Sequence, residues 1–345
     1  MDLSVAGILL LDGVANGAIY ALLAVAIVLL FAVTRVIYIP QGEYVAFSAL
    51  TLGLFQLGQV PGTVWFLLGL AALAALLDAA ADLRARTPAA AAVRRALRTL
   101  AFPVAVSALA IWLAPHKPPM AVQALLTLAL VTPFGPLVYR LAFRSLADAS
   151  VLVLLIVSVG VHFALTGLGL FFFGAEGFRN PSFWDARFSI GALSLSGQVV
   201  IILAATAALI VMLWLFFERT LQGKALRATA VSRLGARLMG ISSDAAGSLS
   251  FAMAAFIGAL SGLLIGPTTT IFYDSGFLIG LKGFVAAVFA GLASYPAAMA
   301  GAMMVGVLES FSSFWASAFK EAIVFTFILP VLLWRSMHDP HPDEE

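Results

Sequence analysis

Apolar residues in this chain come in long unbroken runs separated by short polar stretches, and the runs do not alternate apolar with polar positions. Residues 15–33, 151–173 and 199–217 each approach the roughly 20 residues that a bilayer-crossing helix requires. With backbone groups in lipid satisfied only inside helices or closed barrels, this pattern predicts an all-α polytopic membrane protein. About eleven segments are expected, counting by length and apolarity: 15–33, 44–57, 64–77, 100–113, 122–138, 151–173, 199–217, 249–265, 277–292, 297–311 and 322–333. Several are short for a full span, 44–57 and 277–292 above all, and are expected to be re-entrant or extended by their flanks.

The polar stretches divide the chain. Residues 78–98 are rich in Ala and Arg and predict a helical connector broken near Pro88. Residues 174–198 predict a loop resting at the membrane interface. Residues 218–248 begin with a basic, small-residue loop, and residues 336–345 form a polar tail. The chain reads as one transmembrane domain, residues 1–345.

Composition strengthens that picture. The 345 residues are 62% hydrophobic and only 10% charged, with a mean hydropathy of +1.06. The net charge of +2 gives no case for nucleic acid, and the lack of cysteine excludes disulfides and thiolate chemistry. Asp2 and Asp12 with no early Lys or Arg do not make a cleavable signal, so the first helix is expected to be retained. If the N-terminus lies outside and every segment crosses, fourteen of the nineteen basic residues face inward: Arg35, Arg84, Arg86, Arg94, Arg95, Arg98, Arg140, Arg144, Arg219, Lys224, Arg227, Arg233, Arg237 and Arg335. Lys117, Arg179, Arg187, Lys282 and Lys320 remain outside. The positive-inside tendency therefore predicts an outer N-terminus and a cytoplasmic C-terminus.

Few residues carry chemistry. His116, His162, His338 and His341 are scattered without metal spacing. No Gly-x-x-x-x-Gly-Lys-Ser/Thr loop occurs, so the chain is not expected to hydrolyse ATP. Neither a catalytic set, a metal site nor a cofactor is expected. Polar residues inside spans are the functional candidates, because lipid burial is costly. Asn16 and Tyr20, spaced i, i+4, would share a helix face lining a path or bonding between helices. Glu43 near a helix start fits the positive end of the helix dipole. His162 with Thr166 is expected to be satisfied within the bundle, and Glu309 to pair with a cation or carbonyl. Gly258, Gly262 and Gly266 predict close helix packing. If residues 225–240 form one helix, Ala228, Ser232, Gly235 and Ala236 pack inward, and Leu226, Arg227, Arg233, Leu234, Arg237 and Leu238 face a partner.

The run Gly223-Lys224-Ala225-Leu226-Arg227-Ala228-Thr229-Ala230, followed by Ala236-Arg237-Leu238-Met239-Gly240-Ile241, resembles the cytoplasmic loop of permease subunits of branched-chain amino-acid ABC importers. Asn16-Gly17-Ala18-Ile19-Tyr20-Ala21-Leu22, then Arg35-Val36-Ile37 with Gly42-Glu43, resembles the opening landmarks of that family. Lys282-Gly283-Phe284-Val285-Ala286-Ala287-Val288, Gly291-Leu292, Pro296 and Glu309 are similar to its closing ones. Two features depart from it: Tyr38-Ile39-Pro40-Gln41 stands where Asn-Phe-Ala-His is usual, and residues 79–118 resemble an insertion with a basic cytoplasmic connector.

The resemblance implies a multi-pass permease in a bacterial inner (plasma) membrane. Its implied partners are ATPase subunits, a second permease chain, an extracytoplasmic solute-binding protein, a small-molecule substrate and membrane lipid. Residues 218–248 become the coupling loop to the ATPase, with Gly223, Arg227, Ala230, Arg233, Arg237 and Gly240 as its contact set. Asn16, Tyr20, Gln41 and Glu43 become the candidate translocation path. The substrate expected is a branched-chain amino acid or a related small polar solute. The main alternative is an ion-coupled secondary transporter, which calls for intramembrane acids beside broken helices in repeated halves; no repeat is evident in the sequence. A membrane-embedded enzyme would need a clustered constellation that the sequence lacks.

Overall fold

The computed structural model describes residues 3–86, 88–190 and 193–338. Asp2, Thr87 and the end of the tail, 339–345, lie outside the described residues. The helices run α1 (Leu3–Thr34), α2 (Gln41–Gln56), α3 (Gly62–Arg84), α4 (Ala89–Leu113), α5 (Met120–Val131), α6 (Phe134–Val138), α7 (Val151–Phe173), α8 (Gly197–Arg219), α9 (Leu221–Val231), α10 (Arg233–Leu238), α11 (Ser243–Ile265), α12 (Ser275–Phe289), α13 (Tyr295–Trp315), α14 (Lys320–Thr326) and α15 (Ile328–His338). One π-helical turn, Tyr139–Phe143, continues α6. Among the described residues, eight helical stretches are long and apolar enough to cross a membrane.

Position follows composition. The α1 window is apolar on every side and 89% buried, the mark of a central helix. The window of α4, at 17%, is the least buried, so that helix lies on the periphery against lipid. Helix α13 packs antiparallel along α1, where Gly13 and Gly17 bring its backbone close: a Cβ on Gly13 would stand 2.7 Å from Val307 Cα. Gly258 and Gly262 of α11 make an equally close track for α2, in keeping with the packing expected of them.

Segments 44–57 and 277–292 form α2 and α12, only 16 and 15 residues long. Each is a half-helix reached through a non-helical re-entrant stretch. Residues 35–40 lead from the end of α1 back into the bundle, where Ile39 N donates to Ser158 Oγ at 2.8 Å. Residues 266–274 do the same from α11, with Phe178 and Ile271 paired through their backbones. The first turns of α2 and α12 then meet, the backbone of Gly42 lying directly against Gly276 and Gly280. Their depth is set by His162, the middle residue of the 23-residue α7, which bonds Glu43. Stretch plus half-helix crosses the membrane, so neither interruption changes the parity of the chain. The last segment, 322–333, is likewise broken, between α14 and α15.

Two sides result. Arg140 pairs with Asp78, Arg144 with Asp244, and Arg233 bonds Val33 O and Ala147 O, gathering one set of helix ends. Gly58 against Lys117 and Gly62 against Phe172 mark the opposite side. Two expectations need correction. Lys282, counted with the outer charges although it falls in segment 277–292, is buried in α12, 5% exposed, because Glu309 holds it. The 174–198 loop does more than rest at the interface. It carries an antiparallel hairpin, β1 (Arg187–Ile190) with β2 (Leu193–Ser196), and it inserts Asn180 into the bundle, where Nδ2 donates to Ala49 O at 3.0 Å.

Candidate functional site

On the side opposite the basic loop, a cavity of about 660 Å³ descends between α1, the end of α11, α12 and α13. At roughly 30 Å³ per water it is a solvent-sized vestibule, not a packing defect. Asp12, Asn16 and Tyr20 line it from successive turns of α1, and Lys282, Glu309 and Glu321 face them. At its floor Tyr20 Oη donates to Glu309 Oε2 at 2.5 Å, and Lys282 Nζ donates to Glu309 Oε1 at 2.5 Å and to Glu321 Oε1 at 3.3 Å. The Lys282 ammonium also stands 5.7 Å from the centre of the Tyr20 ring. A half-submerged cluster of both charge signs can hold a zwitterion or a polar solute through either end. The sequence reading put Asn16 and Tyr20 on the candidate path and expected Glu309 only to pair with a cation or carbonyl, as it does with Lys282; it gave Lys282 and Glu321 no part in a site. The available signal was a lone lysine and a lone glutamate in consecutive apolar runs, each needing a partner.

Gln41 and Glu43 do not line this cavity. They sit behind α12, at the crossing of the two half-helices, with Glu43 fully buried. His162 Nδ1 bonds Glu43 Oε1 directly, and Thr166 Oγ1 reaches the same oxygen at a long 3.5 Å. Glu43 belongs to the first turn of α2 and its Oε2 lies against Gly276 at the start of α12, so the carboxyl group stands near two positive helix ends, with Oε2 buried and without a hydrogen-bond partner. Gln41 Nε2 donates to Ala254 O at 2.8 Å, tying α2 to α11. Where the resemblance leads one to expect Asn-Phe-Ala-His, Pro40 caps α2 and Tyr38 stacks on Tyr44, their hydroxyls 2.6 Å apart.

Residues 218–248 fold over the other side, and not as one helix. Ser232 adopts φ −152° and ψ 111°, and its Oγ accepts from Gly235 N at 3.1 Å. That makes it an N-cap that ends α9 and starts α10. The single-helix phasing therefore fails: Leu226 is buried, while Ala228 and Ser232 are exposed. Gly223 lets α9 fold tightly onto α8, since a Cβ there would lie 2.2 Å from Phe216 O. Gly240, at φ +81°, closes α10 in the left-handed conformation that glycine favours. Arg227 bonds Glu218 and Phe217 O, and Ala230 is half-buried. Arg233 is tied down by backbone carbonyls of α1 and of the 144–150 turn, and burial, then the like charge of Arg35, pulls its guanidinium below its ordinary pKa. Arg237 bonds Asp148 and Ser243 at 3.0 and 2.8 Å. These arginines position the loop. Beside the exposed Lys224, Arg227 and Arg237 the loop presents an apolar set: Val231, Leu234, Leu238 and Met239 are each at least 70% exposed, and Leu234 and Leu238 belong to the face expected to meet a partner.

Comparison with known proteins agrees with this architecture. Residues 98–333 match the family model described as branched-chain amino acid transport system / permease component. The first-helix landmarks and Gly42-Glu43 precede the matched stretch. The chain is 30% identical over 240 residues to the high-affinity branched-chain amino acid transport system permease protein BraD of Pseudomonas aeruginosa, covering 67% of this chain and 78% of that one. It is 28% identical over 213 residues to LivH of Escherichia coli, a permease protein of the same description, covering 60% and 69%. No solved structure matches it with comparable significance. Broken helices with buried acids alone would also suit an ion-coupled transporter, so the match over most of the chain decides the matter: this chain belongs to the family of permease components of branched-chain amino acid transport systems.

Proposed function

We propose that the chain is the membrane-spanning permease subunit of an ATP-driven importer for branched-chain amino acids or related small polar solutes. The observation that carries this reading within the permease family is the vestibule ending at Tyr20, Lys282 and Glu309. It offers a cation and a carboxylate at half-depth, the two charges a free amino acid carries in opposite sense. A solute-binding protein delivers the solute to this outer mouth, and a second permease chain completes the pathway. ATPase subunits dock on the apolar crest of α9 and α10, which Arg227, Arg233 and Arg237 hold in place. Alternating access then consists of ATP-driven bias between arrangements that differ in which side the vestibule faces. The concentration of basic residues on the α9–α10 side supports placing that side, and the C-terminus, in the cytoplasm of a bacterial inner membrane.

The test is Asn16→Leu. Asn16 lines the vestibule and makes no hydrogen bond to another side chain among the described residues, so assembly should be retained. Uptake per assembled complex should fall at least several-fold. Wild-type uptake from normally assembled complexes would remove this face of α1 from the path.

A further inference from the structure

A second cavity, of about 540 Å³, lies on the basic side between α4 and the α6–π-turn segment. One wall is a single face of α4: Arg95, Arg98, Thr99, Phe102 and Pro103 follow one another at i, i+3, i+4, i+7 and i+8. The other wall carries Arg140 and Arg144, with Asp78 and Asp244 beside them. Four arginines against two aspartates leave the lining at +2 (4 − 2). The pairs are uneven. Arg140 pairs with Asp78 and also donates to Thr99 Oγ1 at 2.9 Å, and Arg144 reaches Asp244 at 3.0 Å. Arg95 pairs with Asp82, whereas Arg98 has no ion-pair partner among the described residues. Arg140 Nε is buried with no acceptor, a donor aimed at nothing in the protein.

The lining also changes character with depth. Its arginines sit at the membrane edge, and one to two turns further along α4 it becomes Phe102 and Pro103, faced by Pro133, Pro136 and Leu137. Phe102 is 54% exposed, on the helix that lies on the bundle's periphery. A polar, positively charged mouth above an apolar floor open to lipid matches one class of occupant. We propose that this cavity binds an anionic phospholipid of the cytoplasmic leaflet, its phosphate between Arg95, Arg98 and Arg144 and an acyl chain along Phe102. Planar guanidinium forks suit phosphate oxygens, and basic pockets between membrane helices on the cytoplasmic side are a recognised form of headgroup site. Free phosphate would satisfy the arginines and leave the apolar floor bare. Helix α4, Ala89–Leu113, supplies one wall of the site; the proposal rests on the orientation argued above.

The full-length chain, purified in detergent, is titrated with phosphatidylglycerol, phosphatidylcholine and inorganic phosphate, and retained lipid is read by native mass spectrometry. Phosphatidylglycerol should be retained in preference to phosphatidylcholine. Arg98→Gln, which breaks no ion pair, should weaken it about fivefold, the attraction expected of one basic residue near an anionic surface. Phe102→Glu keeps every arginine and should also weaken it. Arg84→Gln with Arg86→Gln removes twice the charge outside the cavity and should leave retention unchanged. The idea fails if that outer pair matters as much as Arg98, if phosphatidylcholine is retained equally, or if inorganic phosphate displaces the lipid and marks a soluble-anion site.

Discussion

The crossing of the two half-helices can be tested with a single methyl group. A Cβ on Gly42 would lie 1.8 Å from Gly276 O, 2.6 Å from Gly276 C and 2.8 Å from Gly280 N. All three are backbone atoms, so no rotamer change relieves the clash. Since real Cβ contacts essentially never fall below 3.0 Å, α2 and α12 must part by about 1.2 Å (3.0 − 1.8). Nothing behind α2 can yield that distance. Gln41 is bonded to Ala254 O, Ser48 Oγ donates to Ala259 O at 2.6 Å, and Val45 O already rests on Gly262. Overpacking of this kind costs about 1–3 kcal/mol, occasionally more, and rigid backbone on both sides places Gly42→Ala at the upper end. The gain in helix propensity on replacing Gly by Ala is at most about 1 kcal/mol, and cannot offset it. Gly69→Ala in α3 is the control: a Cβ there meets nothing within 4 Å, so only the propensity gain remains.

Survival of the monodisperse complex after graded heating, with uptake per assembled complex, reads both effects. Gly42→Ala should melt earlier and transport poorly, while Gly69→Ala should melt at or above the wild-type temperature. Gly276→Ala should repeat the first result, its Cβ lying 2.6 Å from Gly42 O. A Gly42→Ala complex with wild-type stability and uptake would refute the apposition of the two helix starts.

Two further outcomes are expected. Leu238→Asp, at a residue 80% exposed, should lower co-purification of the ATPase severalfold while leaving membrane insertion unchanged; Arg237→Glu should do the same and also loosen the loop, because it faces Asp148. Single cysteines at Ser232 and Ala85 should resist an impermeant thiol reagent in intact cells, and one at Glu176 should react; the reverse pattern would invert the orientation.

Length and apolarity were enough to predict a helical membrane bundle and to single out 44–57 and 277–292 as too short for ordinary spans. What those segments do was not legible. That α2 and α12 start at mid-depth depends on non-helical stretches whose partners, Ser158 and Phe178, are more than 90 residues away. The break at Ser232 was more accessible, for a serine three residues before Gly235 in a short basic run has the chemistry of a cap. Charge counting said less than the contacts do. It placed Lys282 among the outer charges without showing that Glu309 makes its burial possible, and it could not show that Arg227, Arg233 and Arg237 are tied down within the chain while Leu234 and Leu238 stand exposed.

The two groups of polar residues assigned together from the sequence lie on opposite faces of one helix. Through Gly276 and Gly280, α12 packs on α2 at the Glu43 crossing; through Leu278, Ile279 and Lys282 it walls the vestibule. In an ion-coupled transporter, paired half-helix N-termini at the midplane would be free to hold the solute or ion. Here the Glu43 carboxyl lies between them, its Oε1 bonded to His162, its Oε2 buried without a hydrogen-bond partner, and glycine backbone closed over it. The crossing is thus a closed, solvent-free contact, and the vestibule is the side of α12 open to a solute, the arrangement the proposed function calls for. It also explains why a methyl group at Gly42, which never meets the vestibule, should alter transport: the 1.2 Å it demands must be taken up by α12, and α12 carries Lys282.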